Sequence, residues 1–191
     1  MCVIIVKPAG VKLPSHSFLR AAAEVNHDGC GYVTSDGHYY RSLSFSTFWR
    51  DFSRHAREDE DIIIHFRWAT HGSVRVSNCH PFAGEYDGHR VWFAHNGVLP
   101  IESVNNKTDS EIFFRDIALP WLRYHHGFAP RVSKWMNLAV QGSRFAFLDE
   151  SGLHLYGDFV KHNGLLLSNT RFLRPVISTR GITDKLWGTG L

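Results

Sequence analysis

Cys2 can do chemistry that no other residue of this chain can, provided that the initiator methionine is removed. It then carries a thiol and a free α-amine on one residue. The reference pKa of an α-amine lies near ~7.7–8.0 and that of a free thiol near ~8.5, so the amine can take the thiol proton at neutral pH, directly or through one water. Cysteine is small enough at position 2 to allow that excision. It is also what a buried strand accepts at its entrance, since free cysteine is among the most buried residue types. Arg67 is the second conspicuous group, because it ends an apolar run over 62–66, where a guanidinium is costly unless an anion pairs with it. That anion can be a structural partner or a ligand. Asn96-Gly97 reads as a tight hairpin turn and Asp109 as a helix cap.

These groups need a scaffold, and the chain can build one. Its 191 residues fit a single domain with a sizeable core, and 43% hydrophobic against 20% charged residues is an ordinary globular composition. The net charge of +3 comes without a Lys/Arg run, so no nucleic-acid footprint is expected. Three widely spaced cysteines, Cys2, Cys30 and Cys79, argue against a disulfide framework and for a reducing, cytoplasmic setting. No signal-peptide pattern opens the chain and no apolar run is long enough to span a bilayer, so no membrane partner is expected. The sequon Asn106-Lys107-Thr108 is then a chance match.

Periodicity predicts the elements that must position the chemistry. Residues 3–6 are continuously apolar and β-branched, as in a strand buried on both faces. A helix follows from Ser15 or Ser17 to about Asn26, with Phe18, Leu19, Ala22 and Ala23 at helical spacing. Gly29 and Gly31 mark backbone that side chains would obstruct. Strands over 32–34 and 38–41 flank the hairpin signal Ser35-Asp36-Gly37. Ser46 caps a second helix carrying Phe48, Trp49, Phe52 and Ala56, and a buried strand runs over 62–67. Residues 73–88 read as loop, and 90–95 as a strand. A helix opening at 108–111 places Phe113, Ile117, Trp121 and Tyr124 on one side, with Pro120 breaking or kinking it. A helix over 132–140 and strands over 143–148, 153–156 and 165–167 complete the pattern. The glycine-bearing stretch 171–191 is expected to be a loosely held tail that docks on a partner, after a domain over 1–170.

Taken together the pieces resemble one family, the class II glutamine amidotransferase domain of the N-terminal nucleophile hydrolases. They are Cys2, Asp28-Gly29-Cys30-Gly31, His65-Phe66-Arg67-Trp68-Ala69-Thr70-His71-Gly72, Asn78-Cys79-His80-Pro81, His95-Asn96-Gly97 and Thr108-Asp109-Ser110-Glu111. The resemblance covers about residues 2 to 170, and the arginine-tryptophan-alanine-threonine-histidine-glycine block is its most specific part. It implies an α+β fold, the four-layer αββα sandwich. It implies Cys2 as nucleophile on the γ-amide of L-glutamine, with Asn96 and the Gly97 N–H as oxyanion hole. Arg67 is implied as the fork for the α-carboxylate and Asp109 as the partner of the α-ammonium. Trp68, Thr70, His71 and His80 complete the implied substrate-binding set, His80 by ordering the loop beside the site. No cofactor or metal is implied.

Most relatives fuse such a glutaminase to a synthase domain, so a separate ammonia-accepting synthase subunit is the expected partner. Two other readings remain open. One is an N-terminal cysteine amidohydrolase acting on another γ-glutamyl amide. The other is a metal-binding module, since thirteen histidines are many, and His65, His71, Cys79, His80 and His95 are conceivable ligands. None of these shows a paired short spacing such as Cys-x-x-Cys.

Overall fold

The computed structural model describes residues 2–69, 72–104 and 107–173. Strand β1 (Val3–Lys7) is buried along its whole length. It lies inside a six-stranded antiparallel sheet with β2 (Cys30–Thr34), β3 (Tyr39–Ser42), β4 (Ile62–Phe66), β9 (Val160–His162) and β10 (Leu165–Leu167), in the order β3-β2-β4-β1-β10-β9. A second antiparallel sheet, β5-β6-β7-β8, comprises Phe82–Tyr86, His89–Asn96, Arg144–Asp149 and Gly152–Tyr156.

Three apolar layers follow from strand alternation. Ile4, Val6, Val33 and Ile63 of the first sheet meet Trp92, Ala94, Ala146 and Leu148 of the second. The opposite face of the first sheet, including Val3, Ile5, Ile62 and Ile64, packs on α1 (His16–Val25) and α2 (Phe45–His55). The outer face of the second sheet, including Phe93, Phe145 and Phe147, packs on helices between residues 109 and 139. Helix, sheet, sheet, helix is the expected αββα sandwich. Arg171–Leu173 form a short turn that buries Phe172 against Phe18, at 5.1 Å between ring centroids. The remainder of the expected tail lies outside the described residues.

Several sequence expectations need correction. Helix α2 is capped at Ser44, two residues before Ser46. The segment expected to be loop contains β5, which pairs with β6 across the turn Asp87-Gly88. Its sequence Phe-Ala-Gly-Glu-Tyr carries too few apolar residues to announce a strand, yet Phe82 and Tyr86 are buried. Asn96-Gly97 closes no hairpin, for β6 pairs onward with β7, and Asn96 lies opposite Arg144.

The helix at 109 is the most instructive case. α3 (Asp109–Ile112) passes without a break into a π-helical stretch, Phe113–Ala118, and then into α4 (Leu119–His125). The wider turn advances the buried face by one residue. Ile117 and Tyr124 point outward, while Phe113, Phe114, Ala118, Leu119 and Leu122 are buried. Pro120 does not break the chain, for it comes just after the π-helical stretch, where the Leu119 N–H already reaches back five residues to the Phe114 carbonyl. α5 (Pro130–Ala139) completes this layer.

Candidate active site

Cys2 enters β1 at the end of the first sheet, where β4 also ends, since Val3 pairs with Phe66. That register brings the thiol against the chain just beyond Arg67. The Trp68 N–H donates to Cys2 Sγ at 3.4 Å, and the thiol in turn lies 3.5 Å from the Trp68 carbonyl. Burial pushes the Cys2 thiol up, while the Trp68 N–H and Arg67 pull it back down. The Cys2 carbonyl accepts from Asn169 Nδ2 at 2.8 Å.

Arg67 is buried, at 3% exposure. Its backbone N–H donates to Gly29 at 2.7 Å, and its guanidinium reaches the Ser73 carbonyl at 3.1 Å. Asp28 braces the same loop, accepting from the Ala69 N–H at 2.8 Å. Gly29 just before β2 and Gly31 within it allow close packing here. A Cβ on Gly31 would stand 2.3 Å from the His80 carbonyl, and one on Gly29 2.3 Å from Cys79 Sγ.

Asp109 approaches from the second sheet's side. Thr108, not Asp109, caps α3 by accepting from Glu111 N. This releases the Asp109 carboxylate, whose described partners are neutral donors: Leu99 N at 2.9 Å, Ser110 N at 2.7 Å and Ser110 Oγ at 3.1 Å. Gly97, with φ of 153°, fits only as glycine, because a Cβ would stand 2.1 Å from Ser143 Oγ.

One pocket joins these groups, with ≈ 340 Å³ of atom-free space that is partly open to solvent. Cys2, Arg67, Trp68, His80, Gly97 and Asp109 line it, beside Asn78, His95, Thr108 and Ser110. Asn78 Oδ1, His80 Nε2 and His95 Nε2 are buried there without a hydrogen-bond partner. Such atoms are expensive to leave unpaired, and they set unsatisfied polar groups into the residues that wall the pocket. Asn96 does not line the pocket. It is buried at the end of β6 with Nδ2 donating to Ser168 Oγ at 2.8 Å and Oδ1 unpartnered. Thr70 and His71 lie outside the described residues.

His65, His80 and His95 form a buried chain, with His80 Nδ1 2.9 Å from His65 Nε2 and His95 Nδ1 2.8 Å from Ser110 Oγ. Burial lowers His65 to about 3 and His95 to about 4, so both rings are neutral at pH 7. Among the described residues a different trio, His38, Asp51 and His55, groups as metal ligands would, with ligand atoms within 4.8 Å. His38 Nε2 and Asp51 are already bonded at 2.8 Å, and Asp51 also accepts from Tyr32 OH at 2.7 Å. Burial pushes Cys30 up to about 12 and also raises Cys79, which leaves both thiols protonated. Sequence reasoning did not single out Ser110, Ser168 or Asn169. The latter two stand at the end of a short apolar strand with no motif to flag them.

A four-layer αββα sandwich with a cysteine at the mouth of a central strand defines the N-terminal nucleophile hydrolase type. Residues 44–143 match the family model described as glutamine amidotransferases class-II, and the chain belongs to that family. Among solved structures it resembles glutamine phosphoribosylpyrophosphate amidotransferase from B. subtilis complexed with ADP and GMP, at 14% identity and a TM-score of 0.56 over 91% of this chain. A structure described as the allosteric regulatory enzyme of purine biosynthesis aligns at 12% identity and a TM-score of 0.54, again over 91% of this chain. The chain spans 43% of the length of each of these two relatives. A predicted glutamine amidotransferase from Pseudomonas aeruginosa PA01 aligns over 87% of this chain and 78% of its own, at 18% identity and a TM-score of 0.43. No curated protein sequence matches the chain.

Proposed function

We propose that this chain is a glutaminase that hydrolyses the γ-amide of L-glutamine through a thioester on Cys2. The observation that carries the reading is the convergence of Cys2, Arg67 and Asp109 on one pocket. A free α-amino acid presents a carboxylate and an ammonium, and one cation and one anion beside a nucleophile meet that pattern.

The chemistry starts with removal of Met1. The α-amine of Cys2 takes the thiol proton, and the thiolate attacks the γ-carbonyl carbon. Negative charge gathers on the carbonyl oxygen, where the Gly97 N–H and the Asn96 amide serve as donors. Asn96 reaches that oxygen with the second proton of its Nδ2, the first staying on Ser168. The tetrahedral species collapses, the C–N bond breaks, and the α-ammonium returns its proton to the leaving nitrogen, which departs as ammonia. Water then attacks the thioester, the amine takes the water's proton, and glutamate leaves as Cys2 recovers its thiol hydrogen. Trp68 walls the nucleophile, and His80 and His95 line the same pocket. Thr70 and His71 are assigned to the same clamp on the motif alone.

Class II glutamine amidotransferases pass ammonia to an acceptor domain or subunit, and here we assign that role to a separate synthase. Free Cys2, Cys30 and Cys79 suit a reducing compartment, and we assign the protein to the cytoplasm. The test is intact mass together with glutamate release. Protein lacking Met1 should release glutamate from glutamine, and Cys2→Ala should abolish turnover while Cys30→Ala and Cys79→Ala retain it. Turnover surviving in Cys2→Ala refutes the mechanism. Faster cleavage of γ-glutamyl amides with larger leaving groups moves the substrate from glutamine to that class.

A further inference from the structure

Two consecutive residues beyond β10 touch two of the three catalytic positions that the family motif assigns, Asn96 and Cys2. Ser168 is buried, at 4% exposure, and its backbone N–H donates to the Ile4 carbonyl at 3.0 Å. Its Oγ accepts from Ile4 N at 2.8 Å and from Asn96 Nδ2 at 2.8 Å. Ile4 lies on β1, two residues from Cys2, in the first sheet, whereas Asn96 ends β6 in the second. One hydroxyl therefore bridges the strand of the nucleophile to the strand of the oxyanion donor. Asn169 acts on the nucleophile itself, donating from Nδ2 to the Cys2 carbonyl at 2.8 Å.

The two sheets meet here through side chains alone, because β1 and β6 share no backbone ladder. A second polar link beside the Ser168 bridge, His65 Nε2 against the His95 carbonyl at 3.3 Å, also ties the sheets, but the Ser168 hydroxyl is the one that holds the Asn96 amide. Apolar packing holds an interface together but sets the direction of no amide. A two-proton amide such as that of Asn96 can keep one bond to a hydroxyl and turn the other proton to a substrate oxygen.

We infer that Ser168 and Asn169 are positioning residues for acyl transfer, Ser168 aiming the Asn96 amide and Asn169 fixing the backbone of Cys2. This rests on the glutaminase reading. Ser168 gives the Asn96 amide a fixed pivot, so that it swings through one arc towards the Gly97 N–H. Asn169 holds the Cys2 carbonyl so that amine and thiol of the same residue stay on the pocket side.

The experiment measures steady-state glutaminase kinetics of Ser168→Ala, Ser168→Thr, Asn169→Ala and wild type, with side-chain amide exchange of Asn96 followed by NMR. Ser168→Ala should lower kcat by about tenfold to a hundredfold, below the ~100 to 1,000-fold cost of losing an oxyanion donor outright, with KM within about twofold. Ser168→Thr, which keeps the hydroxyl, should recover most of that loss. The Asn96 amide protons should exchange faster in Ser168→Ala whatever the substrate proves to be. Asn169→Ala should lower kcat and move the acidic limb of the pH–rate profile, since the amine's environment changes. Active wild type with Ser168→Ala and Asn169→Ala both within twofold in kcat, or unchanged Asn96 exchange, overturns the positioning role. Inactive wild type with altered Asn96 exchange in Ser168→Ala overturns the glutaminase reading and leaves the bridge supported.

Discussion

Substituting alanine for Gly97 tests the site at its tightest point. The added Cβ would meet Ser143 Oγ at 2.1 Å, Ser143 Cβ at 2.6 Å and His95 Nε2 at 3.0 Å. Ser143 is itself buried, at 3% exposure, so it has nowhere to retreat without moving the start of β7. Overpacking of this kind costs about 1–3 kcal/mol, and a side chain at positive φ about 1–2 kcal/mol more. The sum of about 2–5 kcal/mol corresponds to a fall in Tm of about 4–20 °C for a chain of this length. Relief of the clash would have to move the Gly97 N–H, which would cost about 100 to 1,000-fold in turnover if it is an oxyanion donor. Thermal melts and glutamate release on the same preparation separate the two effects. A second variant, Gly97→Ala with Ser143→Gly, removes both Ser143 contacts and should recover part of the Tm but little of the turnover. Unchanged Tm in Gly97→Ala refutes the packing argument. Turnover within fivefold of wild type refutes the oxyanion role.

Arg67→Lys should raise the KM for glutamine at least tenfold while the fold survives, because an ammonium cannot make the bidentate contact of a guanidinium; an unchanged KM removes Arg67 from the carboxylate clamp. Stability should fall in mild acid. His65 and His95 are held at about 3 and about 4 in the fold against an ordinary value near 6.5, so the unfolded chain binds more protons between those limits. Their contribution is therefore complete above about pH 6.5 and is lost as pH falls towards 4. Denaturant titrations at pH 7.5 and 5.0 check this, and a flat profile contradicts the buried neutral rings. The same titration on His65→Gln should show a shallower slope.

Many of the scaffold elements announce themselves in the sequence because their periodicity is strong. The runs at β1 and β4 are buried on both faces, so unbroken apolar residues are required, and Ser15 caps α1 with its own hydroxyl. The misses share one cause, namely that local pattern was overruled by neighbours. β5 is held by pairing with β6 despite a weak pattern, and the π-helical turn moves the buried face to Ala118 and Leu122 without any residue that signals it.

The catalytic vocabulary likewise lay in the motif blocks. Cys2, Arg67, Gly97, His80 and Asp109 meet at one pocket although they are spread over more than a hundred positions. Their types were legible because each demands a particular chemistry: a thiol, a fork of donors, a missing side chain, a carboxylate. What tertiary structure alone decided is how these groups are held. It decided that Thr108 takes the capping duty and frees the Asp109 carboxylate, and that the Asn96 amide donates to Ser168. It also decided that Asn169, just after β10, donates to the Cys2 carbonyl. Such assignments depend on hydrogen bonds between residues distant along the chain, and a linear pattern carries the identity of each partner but not the pairing.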